Sequence, residues 1–447
     1  MKLTIVGGGG FRVPQVFEAV SSDDAPVRID ELSLFDVSAS RLATIRKVID
    51  RMSEQTRHVP RITVTEDLAE ALTGADFVFS AVRIGGTAGR VTDERTALEL
   101  GVLGQETVGP GGIAYALRTI PFMVGLAEVI RDVAPDAWVI NFTNPAGMVT
   151  EAMRAVLGDR VVGICDTPIG LMRRAVAAAT GDRTAADAAS LHFDYVGLNH
   201  LGWLRSVEVE GVDQLPKLLA SDTALTTIEE ARLMSFDWVR ALGALPNEYL
   251  YYYYFTREAT ERIRSAASTR GEFLDRQQAD FFAAPGDDPL ETWLRTRHER
   301  ESSYMAESRK ADESRHATDV DGGGYQTVAL DLMAALATGR PSTMILNVRN
   351  GDLVPALPAD SVVEVGCVVD GDGVHPWRIA PVEGEMLGLM AQVKSAERLT
   401  IEAARVGSKD LAWRAFAAHP LVDSVNVARS LVEHYSQRFP SIGQLLG

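Results

Sequence analysis

Over the first 165 residues, short apolar runs alternate with segments whose apolar positions recur every three or four residues. That is the pattern of strands joined by crossover helices in a parallel sheet. Leu3 to Val6, Glu31 to Phe35, Ile62 to Thr65, Asp76 to Val82, Trp138 to Phe142 and Val161 to Cys165 predict strands, and Ser40 to Met52, Asp67 to Leu72 and Ala114 to Val133 predict helices. The regularity ends near residue 170. Beyond it, Leu191 to Val196, Ser206 to Val209 and Asp360 to Val369 read as strands, Ile228 to Leu242 as helix, and Tyr249 to Tyr254 as a Tyr-rich strand. The polar stretch Ala283 to Asp321 reads as an insertion or mobile excursion, and Glu397 to Leu431 as two helices parted near His419-Pro420. The fold class expected is α/β: a doubly wound parallel sheet over 1–170, then a mixed α+β domain over 171–447. No internal repeat is visible.

Composition narrows the function class. A chain of 447 residues with 46% apolar and 23% charged residues can bury a substantial core. No apolar stretch is expected to reach the roughly 18 residues of a membrane span, and the chain opens on the strand-like Lys2-Leu3-Thr4-Ile5-Val6 rather than a signal peptide. The expected location is the cytoplasm, with no membrane partner. Cys165 and Cys367 are the sole cysteines, so a disulfide framework is not expected and a reduced thiol is available for metal binding. A net charge of −17 argues against a nucleic-acid surface, whose phosphate contacts need clustered Lys and Arg.

After the first strand, Gly7, Gly8, Gly9 and Gly10, with Phe11 and Arg12, form a candidate nucleotide turn that lets backbone N–H groups approach a pyrophosphate at a helix N-terminus. With it the N-terminal unit reads as Rossmann-like. The glycine fingerprint is imperfect, because Arg12 or Val13 falls at the third glycine position, depending on register. Asp36 ends the second strand after Leu32-Ser33-Leu34-Phe35, where a carboxylate accepts hydrogen bonds from an adenosine ribose and favours NAD over NADP; the competing reading is a helix N-cap. Asn144, in Phe142-Thr143-Asn144-Pro145-Ala146-Gly147, projects into the ligand crevice or makes an ordinary turn. Cys165 and Asp166 stand at the next strand end, and His200 lies in a glycine-flanked turn. One Cys and one His do not make a closed structural zinc site, so an open metal site, completed by substrate oxygens, competes with plain packing.

These residues, together with Val82-Arg83-Ile84-Gly85-Gly86 and Arg90, Gly104-Gln105-Glu106-Thr107-Val108-Gly109-Pro110-Gly111-Gly112, Gly197-Leu198-Asn199-His200 and Pro246-Asn247-Glu248-Tyr249-Leu250, resemble the NAD- and divalent-metal-dependent glycosidases of glycoside hydrolase family 4. The similarity runs through most of the chain in a shared order. It implies that Cys165 and His200 hold Mn2+ or another divalent metal, that Asp166 protonates the leaving oxygen, and that Tyr249 is the base. It further implies that Asn144 and Asn199 contact the sugar and that Arg90 and Arg270 bind a 6-phosphate. The implied chemistry is oxidation at carbon 3 by NAD, loss of the carbon 2 proton, elimination at carbon 1, water addition and re-reduction.

The expected substrate is a phosphorylated disaccharide or aryl glucoside, and the lead activity is 6-phospho-β-glucosidase. Gly322-Gly323-Gly324-Tyr325 and Leu353 to Val365 are similar to β-glucoside members, whereas Cys165-Asp166 is similar to α-specific ones, which keeps a 6-phospho-α-glucosidase or another family 4 glycosidase open. A 2-hydroxy-acid dehydrogenase and a non-catalytic NAD-binding sensor are the readings from other classes. A homodimer or homotetramer is expected.

Overall fold

The computed structural model describes residues 1–182, 191–309, 315–316, 319 and 324–447. A single sheet runs through them. Its parallel half holds β1 (Lys2–Val6), β2 (Glu31–Phe35), β3 (Arg61–Thr65), β4 (Phe77–Ser80), β5 (Trp138–Asn141) and β6 (Val161–Gly163), in the spatial order 3-2-1-4-5-6. The order reverses between β1 and β4, and ligands of such sheets sit outside the strand C-termini at that reversal. At its other edge, β6 pairs antiparallel with β11 (Ser342–Arg349). The sheet then continues through β12 (Val362–Asp370), β7 (His192–Leu198), β8 (Leu201–Val209) and β10 (Leu245–Pro246), while β9 (Val212–Asp213) pairs with β8 and β13 (Gly373–Pro376) with β12.

The parallel strands are apolar on both faces because helices cover both. Leu3, Ile5, Leu32, Leu34, Val78, Val139 and Ile140 are all fully buried. Each such aliphatic side chain contributes up to about 1.5–3 kcal/mol by leaving water. The helix Gly109–Val133 is long and apolar enough, at a mean hydropathy of 1.5, to pass for a membrane span, which corrects the expectation that no stretch would. Two-thirds of that window is buried inside the fold, where it packs against the helices Ala146–Leu157 and Gly384–Val406. Its Arg118 donates to both oxygens of Asp93 at 2.7 and 2.8 Å and lies 3.8 Å from the Phe439 ring centre, which ties the last helices of the chain to those that flank the parallel strands.

Several local expectations change. The Tyr-rich run is not a strand: Glu248–Leu250 is a 3-10 turn and Tyr251–Tyr254 a helical turn. Four aromatic side chains in succession look β-like by propensity, but packing against neighbouring elements overrides that preference. The helix expected over 228–242 breaks into Glu229–Met234 and Phe236–Leu242 at Ser235, whose φ is +70°. The stretch expected over Glu397 to Leu431 belongs to three helices, Gly384–Val406, Lys409–Ala418 and Val425–Arg438, because Gly407 adds a left-handed break that the sequence reading missed. β11 was not anticipated. The polar segment 283–321 is no excursion in its described part, since it contains the helix Pro289–Ser302, whose Trp293 is fully buried and donates from Nε1 to the carbonyl of Phe11 at 2.8 Å. Gly322 and Gly323 lie outside the described residues.

β7 and β8 join through the two-residue turn Asn199–His200, in which His200 has a φ of +64°. The hairpin closes tightly at Gly197, where an added Cβ would lie 2.2 Å from the Leu201 carbonyl oxygen and 2.3 Å from Gly202 Cα. Both are backbone atoms that cannot swing aside. Gly197→Ala is therefore expected to lower the unfolding free energy by about 1–3 kcal/mol, seen as a lower urea midpoint; an unchanged midpoint would mean that the hairpin opens without cost.

Candidate active site

A cavity of about 740 Å³ opens at the C-terminal ends of the parallel strands and extends beneath the β7–β8 turn. Gly7, Gly10, Phe11, Arg12, Asp36, Arg90, Asn144, Cys165, Asp166, Asn199, His200, Tyr249 and Arg270 all line it. Gly8 and Gly9 do not; they form the floor of the turn behind it.

On the nucleotide side, Gly7 has a φ of +99°, and a Cβ there would stand 2.7 Å from the Ala81 carbonyl oxygen. Only glycine fits such a close approach without displacing backbone. Asp36 accepts from the Gly9 N–H at 3.0 Å and the Ser38 N–H at 3.1 Å, so its carboxylate is held at the end of β2 facing the cavity. The helix Ala39–Ser53 is capped by Ser38, which accepts from the Arg41 N–H. Asp36 is thus spared that task, and its remaining lone pairs are open to a ribose. Phe11 packs edge-on against Phe281 with ring centres 5.2 Å apart.

On the opposite wall, Cys165 precedes the helix Asp166–Thr180, and Asp166 is its first residue. Burial raises the Asp166 carboxyl above its ordinary value and Arg12 pulls it back, so the protonated form is favoured relative to a free carboxyl group. Arg12 itself pairs with Glu301 at 3.7 Å. Burial, with the nearby charge of Glu364, pushes the Cys165 thiol up. The His200 ring is 4% exposed, and burial lowers its pKa to about 3, so it is neutral at neutral pH. Its Nδ1 is buried without a hydrogen-bond partner. The set comprises a soft sulfur, a neutral imidazole with an unpartnered nitrogen, and no cluster of three His, Cys, Asp or Glu among the described residues. It fits an open divalent-metal site completed by ligands from outside the protein.

Tyr249 stacks on His200 with ring centres 3.7 Å apart and planes within 9°. Asn247 fixes this arrangement: its Oδ1 accepts from the Tyr249 N–H at 3.1 Å, and its Nδ2 donates to Thr167 Oγ1 at 2.7 Å, which lies 3.4 Å from Cys165 Sγ. Desolvation and Glu248 raise Tyr249 above the usual phenol range. Asn144 lines the cavity with a buried, unpartnered Oδ1. Asn199 donates to Glu364 Oε1 at 3.3 Å.

A third wall is cationic. Arg90 is bound by Glu94, at 2.7 Å, and by Glu106, which also holds Arg83. Arg270 donates to the Ser303 hydroxyl and the Arg300 carbonyl, both at 2.6 Å, and burial together with Arg90 lowers its pKa to about 10. Arg300, whose Nε is buried without a partner, is lowered further by burial and by Arg12, Arg270 and Arg90. Guanidiniums packed so closely raise one another's cost until an anion joins them.

Sequence reasoning assigned nothing to Arg300, Tyr304, Glu106 or Glu364. Arg300 and Tyr304 lie in the segment read as an excursion, and no local pattern marks them. Glu364 did carry a signal, as a lone carboxylate within the apolar run Val362-Val363-Glu364-Val365.

Residues 2–180 match the model of the family described as family 4 glycosyl hydrolase, and residues 195–422 match that of its C-terminal domain. A Bacillus subtilis protein named probable 6-phospho-beta-glucosidase is 31% identical over 446 residues, covering 97% of this chain and 95% of that protein. The structure of a 6-phospho-beta glucosidase from Thermotoga maritima with manganese, NAD+ and glucose-6-phosphate superposes with a TM-score of 0.80 at 26% identity, covering 98% of each chain. A 6-phospho-alpha-glucosidase from gut microorganisms, in complex with NAD and Mn2+, superposes with a TM-score of 0.79 at 25% identity, covering 98% of this chain and 97% of the other.

Glu364 is fully buried and accepts from Tyr195, Asn199 and Asn347 at 3.0, 3.3 and 2.8 Å, yet burial pushes its pKa up to about 7. The folded chain then keeps a proton between about pH 4.5 and 7 that the unfolded chain releases, so stability falls as pH rises through that window. In chelator-treated protein, Glu364→Gln is expected to remove this slope and to be more stable than the parent at pH 8 by on the order of 2–3 kcal/mol, with no gain at pH 4. Urea unfolding at four pH values tests it, and parallel curves for the two proteins would refute it.

Proposed function

The chain belongs to the family 4 glycosyl hydrolases, and from that premise we propose that it is a 6-phospho-β-glucosidase that uses NAD and a divalent metal, with Mn2+ the leading choice. The observation that carries the reading is the convergence, in one cavity, of the glycine turn with Asp36, the Cys165 and His200 pair, Asp166, Tyr249 and the arginine wall.

Cys165 and His200 would hold the metal, and the Gly7–Gly10 turn with Asp36 would hold the dinucleotide. Bound NAD supplies a reversible hydride acceptor for carbon 3, and the cation supplies the positive charge that makes the carbon 2 proton acidic beside the resulting ketone. Asp166, raised by burial, gives its proton to the leaving oxygen at carbon 1. Tyr249 takes the carbon 2 proton from beside His200 and returns one after water has added at carbon 1. The buried, unpartnered Asn144 Oδ1 and the Nδ2 of Asn199, oriented by Glu364, support their assignment as sugar contacts. Arg270 and Arg300, with Arg90 beside them, support recognition of a 6-phosphate, because a dianion relieves the mutual repulsion of those guanidiniums. A substrate with that charge does not cross a bilayer unaided, which favours action in the cytoplasm. A homodimer or homotetramer belongs to the same reading, supported by exposed Val406 and Val425 at the ends of the C-terminal helices.

Anomeric preference is the point at which a second reading has support, because relatives of both names span the whole chain and carbon 2 deprotonation does not itself demand one anomer. Paired 4-nitrophenyl α- and β-glucoside 6-phosphates, with NAD+, Mn2+ and reductant, decide it. Cleavage of the β-anomer that is lost when either NAD+ or Mn2+ is omitted is the expected result. Preference for the α-anomer would move the assignment to 6-phospho-α-glucosidase, and cleavage that needs neither addition would overturn the mechanism. Arg270→Ala should lower kcat/KM for the phosphorylated substrate by roughly 10- to 100-fold relative to the unphosphorylated glucoside, the loss of one charged hydrogen-bonding group. An equal loss on both substrates would mean that Arg270 is structural.

A further inference from the structure

The Tyr249 hydroxyl belongs to a chain of hydrogen bonds along the cavity wall. Its oxygen is 3.1 Å from that of Tyr304, which is 2.6 Å from Glu248 Oε1. Glu248 is 2% exposed, on the 3-10 turn that also carries Tyr249, whereas Tyr304 comes from the exit of the helix Pro289–Ser302. All three side chains line the same cavity, so the chain of oxygens runs along its wall and ends on a buried carboxyl group.

A phenol hydroxyl has one proton to give. The Tyr304 proton goes to the shorter contact, Glu248, in the distance range of a charge-assisted O–H···O bond. The Tyr304 oxygen is then left to accept from the Tyr249 O–H. In that polarity the lone pairs of Tyr249 are turned away from Tyr304 and are free for a proton from the substrate. A neutral phenol accepts a proton only as it surrenders its own, and Tyr304 is the hydrogen-bond partner placed to receive it.

We propose that Tyr304 and Glu248 form a proton relay beside Tyr249 on the cavity wall, with Tyr304 as the positioning and transfer residue and Glu248 as the terminal acceptor. The proposal rests on the reading of Tyr249 as the base that acts at carbon 2. In the forward step the carbon 2–hydrogen bond breaks, its electron pair stays on the sugar as the enediolate, and Tyr249 gains that proton while passing its own to Tyr304. Tyr304 in turn passes its proton to Glu248, so one C–H bond is replaced by one O–H bond on the carboxyl group. Reversal after water addition returns the proton to carbon 2 and restores the carboxylate. No external acid or base is consumed. Burial with Glu229 and Glu230 pushes the Glu248 carboxyl up to about 8, so it holds a transferred proton firmly, and the carboxylate that can receive one becomes the main form only as pH rises through that value. Arg315, on Glu229 at 2.9 and 3.0 Å and 5.1 Å from the Tyr304 ring centre, keeps this interior from accumulating unbalanced negative charge.

The test uses the NAD+- and Mn2+-loaded enzyme with substrate carrying deuterium at carbon 2 or carbon 3. Tyr304→Phe and Glu248→Gln should each lower kcat by about 100-fold with KM changed less than about threefold. The carbon 2 isotope effect should rise in both variants while the carbon 3 effect falls towards unity; general loosening of the site would not split the two. NAD+ affinity and Tm close to the parent's qualify each variant. A proton inventory on the parent enzyme in H2O–D2O mixtures stands if a variant fails to fold: a bowed plot is expected for protons moving together, and a linear one overturns the relay. Variants with near-parental kcat and unchanged isotope effects overturn it as well. Tyr249→Phe separates the two levels. If it keeps carbon 2–hydrogen cleavage, the base assignment falls and the relay with it; if it abolishes cleavage while the other two variants do not, only the relay falls.

Discussion

The site depends on the seam where the parallel half of the sheet meets the antiparallel half. β6 and β11 touch at Gly163 and Asn347, and the fit is close enough that a Cβ on Gly163 would lie 2.4 Å from Thr150 Oγ1 and 2.9 Å from Asn347 Cβ. Asn347 donates across to Glu364 on β12, and Glu364 accepts in turn from Asn199 at the tip of the β7–β8 hairpin. Cys165, two residues past β6, and His200, one residue past Asn199, are thereby tied through neighbouring residues to one buried carboxyl group. A nucleotide-binding sheet alone offers the crevice. The antiparallel extension brings an imidazole and a phenol to its far wall.

Electrostatics then divides the cavity without a barrier between its parts. Carboxylates hold the Arg83 and Arg90 side, through Glu106 and Glu94, whereas Arg270 donates to a hydroxyl and a carbonyl. Charge is neutralised where α/β packing is tight and left in excess around Arg270 and Arg300. Around Cys165 and His200 the logic is opposite: burial disfavours both the thiolate and the imidazolium, so the pair is neutral, and a cation is what would stabilise the sulfur as an anion. Each region is costly to bury as it stands, and the reading proposed for it supplies a ligand of the opposite character.

The alternation of strand and helix over 1–170 was legible because it depends on local periodicity, and the six parallel strands fall close to where the apolar runs put them. The cavity-lining positions after those strands were legible for the same reason, since strand ends converge in any sheet of this order. Asp36 was ambiguous in sequence between ribose binding and helix capping, and the hydrogen bond from Arg41 N–H to Ser38 shows why: two cap-competent residues stand within three positions, and only geometry assigns the cap. What could not be read was pairing at a distance. β11 joins β6 over an interval of about 180 residues, and nothing in either run names the other. The Tyr run misled because aromatic residues favour strands in general, while here a 3-10 turn and a helical turn let successive rings face different partners, His200 for Tyr249 and Glu307 for Tyr252.

The segment that looked least organised in sequence proves the most consequential for the site. Within five residues at the end of the helix Pro289–Ser302, Arg300 joins the cationic wall, Glu301 pairs with Arg12 and opposes the pull of that guanidinium on Asp166, Ser303 accepts from Arg270, and Tyr304 contacts Tyr249. The candidate acid, the candidate base and the anion wall therefore share one structural support, itself anchored by Trp293 against the Phe11 carbonyl at the nucleotide turn. A small shift of this helix end would alter proton donation, proton removal and anion binding together. Such a support needs polar side chains aimed inward at several partners, which gives it a charged, aperiodic sequence. That composition resembles a solvent-exposed loop, and the buried Trp293 and Met305 set it apart.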